Sequence, residues 1–277
     1  MGDQPRSDSD TAFEEIAYLV RSEHRSAALE HLEDGPYEPK ELVELTGASR
    51  PTLGRILGEL EERGWVERSG GGYVATPVGE AIVTEFEPFR GAVEAIDRLG
   101  NAVAWIPREE SPIELRHFRS ATVQSLGEDD PVDALEFMTG LIQGASTWGA
   151  LTHLMAPARK REAMLQGVQT DRLEAVNVLT GEVIDRLLEG ADKRAWLQEY
   201  LEAGATVARY DGSIPCNLFV IDELVLIGDS HPGSDNPYTA IVSENETVRR
   251  WAMDIIDGYL ADSERLSTDL LEGDPDR

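Results

Sequence analysis

Lysine is nearly missing from this chain of 277 residues: it stands only at Lys40, Lys160 and Lys193, and every other basic side chain is an arginine. Cysteine occurs once, at Cys216, which excludes an intrachain disulfide and any zinc site built on cysteines. With neither histidine nor lysine near it in sequence, Cys216 reads as a small buried hydrophobe. No run of about 18 apolar residues occurs, so no membrane span and no membrane partner are expected. The N-terminal MGDQPRSDSD lacks the apolar stretch of a secretory signal, and a cytoplasmic location is the simplest expectation. The five histidines, His24, His31, His117, His153 and His231, form no HExxH pair. There is also no G-x-S-x-G elbow and no P-loop. An enzyme is therefore not expected, and neither a metal nor a cofactor is implied.

Acid is abundant: 53 Asp and Glu face 25 Lys and Arg, for a net charge of -28. Such a charge repels nucleic acid at ordinary ionic strength. The acids are nonetheless scattered in pairs along the chain, not gathered in one tail. Together with the shortage of lysine, that pattern resembles haloarchaeal composition, an adaptation to molar salt. At 1 M the Debye length is about 3 Å, short enough to screen most of the repulsion. The apolar fraction of 41% supplies real cores, and the length suits one large or two ordinary domains.

The most informative stretch is Pro39 to Thr76. A short amphipathic helix turns Leu42, Val43 and Leu45 inward. Thr46-Gly47-Ala48 makes a turn, Gly47 being free to adopt positive φ. Ser49 is placed to N-cap the next helix, and Pro51 falls in its first turn, where a missing N–H costs nothing. Leu53, Ile56, Leu57 and Leu60 follow at helical spacing, and Gly64 ends the helix. Trp65–Arg68, the Gly-rich Ser69–Gly72 and Tyr73–Thr76 then read as strand, tip and strand. The order is that of a winged helix-turn-helix, whose second helix enters a DNA major groove.

The rest of the chain divides as follows. Residues 1–10 read as a disordered tail and 11–86 as the winged helix-turn-helix domain. Phe13, Ile16, Ala17 and Val20 begin its first helix, and Ala28, Leu29 and Leu32 face inward from the second. Residues 87–112 form a connecting helix and linker, with a charged break at Pro107–Pro112. The helical pattern there pauses at Pro88 and resumes through Phe89, Val93, Ile96 and Leu99, a stretch suited to packing on a partner subunit. Residues 113–262 alternate strands and helices and form an α/β regulatory domain around a mixed sheet, serving sensing or dimerisation. In it Asn217–Ile221 and Leu224–Gly228 make a hairpin across Asp222-Glu223, both read as solvated turn residues. Tyr238–Val242 is a further strand. Ser243-Glu244-Asn245-Glu246 reads as a capping box opening a final helix with Val248, Trp251, Ala252, Ile255, Ile256 and Tyr259 inward. Residues 263–277 read as an acidic tail. The fold class is thus α+β for the N-terminal part and α/β for the C-terminal part.

Ser49, Arg50, Thr52 and Arg55 lie at the N-terminal end of the second helix, off its apolar stripe. Hydroxyls and a helix N-terminus suit phosphate oxygens, and an arginine fork suits guanine O6 and N7. Arg68 and Tyr73 flank the hairpin and are placed for the adjacent backbone, while Arg63 answers the helix dipole. The alternative is an acidic adaptor whose winged helix binds only protein. In the C-terminal domain Thr152, His153, Thr180 and Asp229 sit at predicted strand ends, where ligands of open α/β sheets bind. A domain that only dimerises, with no ligand, is the plainer alternative. Double-stranded DNA, a second copy of the chain and a small-molecule effector are the expected partners.

The ELVELTGASRPTLGRILGELEERGWVE stretch resembles haloarchaeal winged-helix regulators related to the methanogenic filament-formation regulator family. So do Leu201–Val207, Tyr210–Pro215, the LFVIDELVLIG hairpin and AIVSENETVRRWAMDII. The resemblance implies a transcription regulator with a C-terminal sensor similar to the phospholipase D-like domains of archaeal sugar-responsive regulators. The phospholipase D signature needs His-x-Lys, and His117-Phe118-Arg119, His153-Leu154-Met155 and His231-Pro232-Gly233 all lack it. Hydrolase activity is not carried over.

Overall fold

The computed structural model describes residues 8–126, 131–229 and 239–271. Contacts divide the chain between Arg90 and Gly91. The terminal residues 1–7 and 272–277, and Tyr238, lie outside the described residues.

The first unit contains α1 (Asp8–Val20), α2 (Glu23–His31), α3 (Pro39–Thr46), α4 (Arg50–Glu62), the strands β1 (Val66–Ser69) and β2 (Gly72–Ala75), and the start of α5 (Pro77–Leu99). Residues 8–10, expected to be disordered, open α1. The stripe Leu53, Ile56, Leu57 and Leu60 is buried against Leu29, Leu32 and Leu42, which gives the unit its core. Gly47 ends α3 at φ 66 and turns the chain toward α4. Gly70 and Gly71 take φ of 60 and 93, the two positive values that a tight two-residue hairpin loop demands. The hairpin register runs from Val66 opposite Ala75 to Ser69 opposite Gly72. Tyr37 adds an unforeseen bridge, exchanging both backbone hydrogen bonds with Tyr73 at 2.9 Å. A side chain on Gly72 would collide with the Tyr37 carbonyl, so this glycine serves the bridge and not the tip.

Leu45 and Pro88 depart from expectation in this unit. Leu45 is exposed, because the eight-residue α3 buries only the side at Leu42. On α1 the buried pair is Tyr18 and Leu19, while Phe13, Ile16 and Val20 face outward. Tyr18 wins the inward position through its edge-on contact with Trp65 at 5.9 Å and the guanidinium groups of Arg25 and Arg63 over its ring. Pro88 does not interrupt α5, which runs unbroken from Pro77 to Leu99.

The second unit holds short 3-10 turns at Gly100–Trp105 and Leu115–Phe118, then β3 (Thr122–Ser125), α6 (Pro131–Gly144), β4 (Thr147–Thr152), α7 (Ala158–Gln169), β5 (Glu174–Thr180), α8 (Gly181–Leu188), α9 (Ala191–Glu202), β6 (Thr206–Tyr210), β7 (Asn217–Ile221), β8 (Leu224–Gly228), β9 (Thr239–Ser243), α10 (Glu246–Ala261), β10 (Glu264–Arg265) and α11 (Thr268–Leu271). The strands form one mixed sheet in the order β10-β6-β5-β4-β7-β8-β9-β3. β4, β5 and β6 run parallel, and the remaining pairings are antiparallel.

Alternation along each strand sends side chains to two separate cores. Leu151, Val178, Val225 and Ile227 pack with Val248, Trp251, Ala252, Ile255 and Ile256 of α10. Ala102, Ile106 and Phe118 join this core, so the break expected at 107–112 lies inside the unit's packing. Trp148, Ala150, Ala175 and Leu226 face the other way, onto α6 to α9.

Three further corrections concern polar residues. Asp222 is not a solvated turn acid: its carboxylate accepts from the backbone N–H groups of Ser146 and Thr147 at 3.0 and 2.8 Å, tying the β7–β8 turn to the start of β4. The cap of α10 is Asn245, not Ser243, since the Asn245 side chain accepts from Thr247 and Val248 at 2.9 and 3.2 Å. Glu264 and Arg265, read as tail, pair with Arg209 and Ala208 at the sheet edge.

Candidate functional site

α4 presents its N-terminal turn to solvent because all four apolar side chains on it point the other way. Ser49 caps the helix, its Oγ accepting from the Thr52 N–H at 3.3 Å and lying 2.8 Å from Thr52 Oγ1. The expected pair of hydroxyls is thus brought together over the first turn. Arg50 is exposed beside them and, among the described residues, forms no hydrogen bond or ion pair. Arg55, one turn on, donates from Nη1 to Glu59 at 2.7 Å, and Glu59 also meets Arg25 at 3.2 Å. Burial alone would raise the Glu59 carboxyl; the nearby Tyr18 hydroxyl and the Arg55 and Arg25 guanidinium groups hold it below the usual carboxylate range instead. Arg68 on β1 lies 3.4 Å from Glu61 and 5.2 Å from the Tyr73 ring. Arg63 donates to the Glu59 carbonyl at 3.0 Å, in the last turn of α4, and binds Glu15 of α1 at 2.8 Å. Of the three exposed arginines expected here, only Arg50 has no carboxylate partner among the described residues.

The four strand-end residues of the second unit do not share one cavity. Thr152 is buried, and its Oγ1 donates to Asn217 Oδ1 at 2.7 Å while accepting from the Leu154 N–H at 2.9 Å. The His153 N–H donates to the same Asn217 oxygen at 3.2 Å. Burial holds the His153 imidazole below its ordinary pKa, against the nearby Glu182 and Asp229 carboxylates. Thr180 precedes α8, its buried hydroxyl lacking a hydrogen-bond partner among the described residues. Cys216 is buried, and burial pushes its thiol up to about 12, so it is inert at neutral pH.

Two cavities do open on the α6–α7 face of the sheet. A pocket of about 560 Å³ is lined by Met138, Leu154, Phe219, Leu226 and Asp229 among others. Sharing part of its lining is a smaller cavity of about 40 Å³, lined by Trp148, Thr152, Asn177 and Tyr200 among others. Lys160, in the first turn of α7, lines both. Its Nζ stands 4.7 Å from the Trp148 ring centre and 4.8 Å from that of Phe219. Asp229 and Thr152 thus touch these cavities, whereas His153 and Thr180 do not line them. Lys160 was not among the residues expected at a site. The available signal was a lysine in an arginine-using chain, at a helix start where a cation opposes the dipole.

Residues 13–98 match the family model described as the HVO_A0261 N-terminal domain. Residues 131–262 match that of the methanogenesis regulatory protein FilR1, middle domain. No curated protein matches the chain. Among solved structures, one similar to it is that of TrmBL2, an archaeal chromatin protein described as showing a novel mode of DNA binding. It is 13% identical, with 91% of this chain and 99% of that chain covered, at a TM-score of 0.42. Another is CalO1, a methyltransferase in calicheamicin biosynthesis, in its SAH-bound form. It is 17% identical over 76% of this chain and 84% of that one, at a TM-score of 0.22. Shape agreement at these levels carries no functional argument. Among the described residues no helix is long and apolar enough to cross a membrane.

Proposed function

We propose that this protein is an archaeal transcription regulator: a winged helix-turn-helix domain binds specific double-stranded DNA, and a C-terminal α/β domain senses an effector. The observation that carries the reading is the N-terminal turn of α4, where Ser49 and Thr52 sit beside the exposed Arg50, which has no ion pair among the described residues. Hydroxyls at a helix N-terminus suit phosphate, and a free arginine fork suits a guanine edge. The matches to two domain models, one from a regulatory protein, support the same reading. The protein acts as a homodimer, with Val93 and Ile96 of α5 exposed one helical turn apart for a second copy. Its two recognition helices then meet half-sites about one DNA turn apart. The charge of -28 suits a molar-salt cytoplasm. It works by binding, without catalysis or a cofactor.

A gel-shift of genomic fragments in molar KCl tests the reading. Sequence-specific shifts are expected, and Arg50→Ala or Arg55→Ala should need about tenfold more protein or greater to give them. Shifts at unchanged protein concentration in both variants remove the recognition-helix assignment. One observation favours the acidic adaptor instead: Arg55 and Arg68 are engaged by Glu59 and Glu61. That reading gains if no fragment shifts.

A further inference from the structure

We propose that the pocket between α6, α7 and the sheet binds a small amphipathic monocarboxylate, its carboxylate on the Lys160 ammonium and its apolar tail against Met138, Leu154 and Leu226. The inference deepens the effector-sensing reading above and rests on it for its biological meaning. Three observations carry it. The volume, about 560 Å³, is that of a small-molecule site. The lining is largely aliphatic and aromatic, which suits a hydrocarbon body better than a sugar. The third is Lys160 itself. In a chain with 53 acids, this ammonium meets two aromatic faces and, among the described residues, no carboxylate or hydrogen-bond acceptor.

A buried ammonium without a counter-ion is costly, and proteins ordinarily pair it. Lys160 is half-buried as a residue, and burial alone acts on its ammonium, holding it down to about 8. The Trp148 and Phe219 rings offset part of the cost through cation–π attraction, but they accept none of its three N–H donors. The first turn of α7 carries no acidic residue and has Pro157 at its N-cap position, without a side-chain cap, so the helix dipole there goes unanswered by its own residues. A bound carboxylate therefore supplies the missing counter-charge. A single negative charge fits better than a phosphate dianion, because one lysine would leave the second charge uncompensated in a pocket that Asp229 also lines.

The test is calorimetric titration of the full-length protein with octanoate, phenylacetate and indole-3-acetate, each beside its neutral amide, without DNA. At least one acid is expected to bind saturably, and at least tenfold more tightly than its amide. Lys160→Met weakens that acid at least tenfold while keeping or raising the melting temperature, since a half-buried ammonium with no carboxylate beside it among the described residues is lost. A purely structural lysine would instead lower the melting temperature and leave affinity unchanged. The proposal is overturned if none of the three acids binds, if acid and amide bind alike, or if Lys160→Met binds as wild type. The acid–amide comparison on the wild-type protein stands even if the variant misfolds. Failure here leaves the gel-shift reading intact, and failure of the gel-shift leaves this titration interpretable.

Discussion

Glu59 is the residue on which the α4 surface turns. It holds Arg55 at 2.7 Å and Arg25 at 3.2 Å, so an arginine proposed to read DNA is engaged within the protein beforehand. DNA must take Arg55 from Glu59, which lowers affinity by the strength of an exposed i,i+4 pair, about 0.3–0.5 kcal/mol, plus the repulsion of the carboxylate itself. Glu59→Gln is therefore expected to tighten binding severalfold in fluorescence anisotropy; unchanged or weaker binding would place Arg55 outside the interface. A second carboxylate group sets a pH response. Burial first, and then the adjoining Glu87, push the Glu30 carboxyl up to about 7, with Arg90 opposing from 3.4 Å. The folded pKa lies above the unfolded value of about 4.3, so the folded state holds this proton more tightly. Stability from this group is intact below about pH 4, falls as the pH rises, and is gone above about pH 7. Glu30→Gln should melt higher than wild type at pH 8, by about 1 kcal/mol after discounting for solvent screening, and the gain should vanish by pH 4.

Caps and stripes decide the elements, and they also decide what could be read in advance. The α4 stripe was legible because four apolar residues at 3.6-residue spacing leave one inward face. The hairpin was legible because two adjacent glycines with positive φ have few other uses. The inward face of α1 was open, because Phe13, Ile16 and Val20 form an equally good stripe; only the tertiary contacts of Tyr18 choose between them. β10 was invisible, since Glu264 and Arg265 make a two-residue polar edge with no periodicity. Ser49, Arg50, Thr52 and Arg55 were found because they are local to one helix turn. The Lys160 pocket was not, because it joins residues from α6, α7, β7 and β8 that only the sheet brings together. The α10 cap offers a direct check on the reassignment. Asn245→Ala removes two bonds to helix N–H groups and should cost about 1 kcal/mol in urea unfolding, whereas Ser243→Ala should cost less. A larger loss from Ser243→Ala would restore the capping-box reading.

The charge of the whole molecule governs how any DNA contact is felt. With 53 acids against 25 bases, few cations are available to displace counter-ions, and added salt also screens a net charge of -28. A basic binder loses affinity with a log–log slope of about -0.9 per phosphate contact, and this protein should show a much shallower slope. The most direct measurement is the affinity of a gel-shift-selected genomic fragment, by anisotropy from 0.1 to 2 M KCl, for wild type and Arg50→Ala. The account predicts a shallow salt dependence in the wild type and a loss of about tenfold or more in the variant, the value of one arginine on a guanine edge. Equal affinity of the two proteins, or a steep collapse of wild-type binding toward molar KCl, would contradict it.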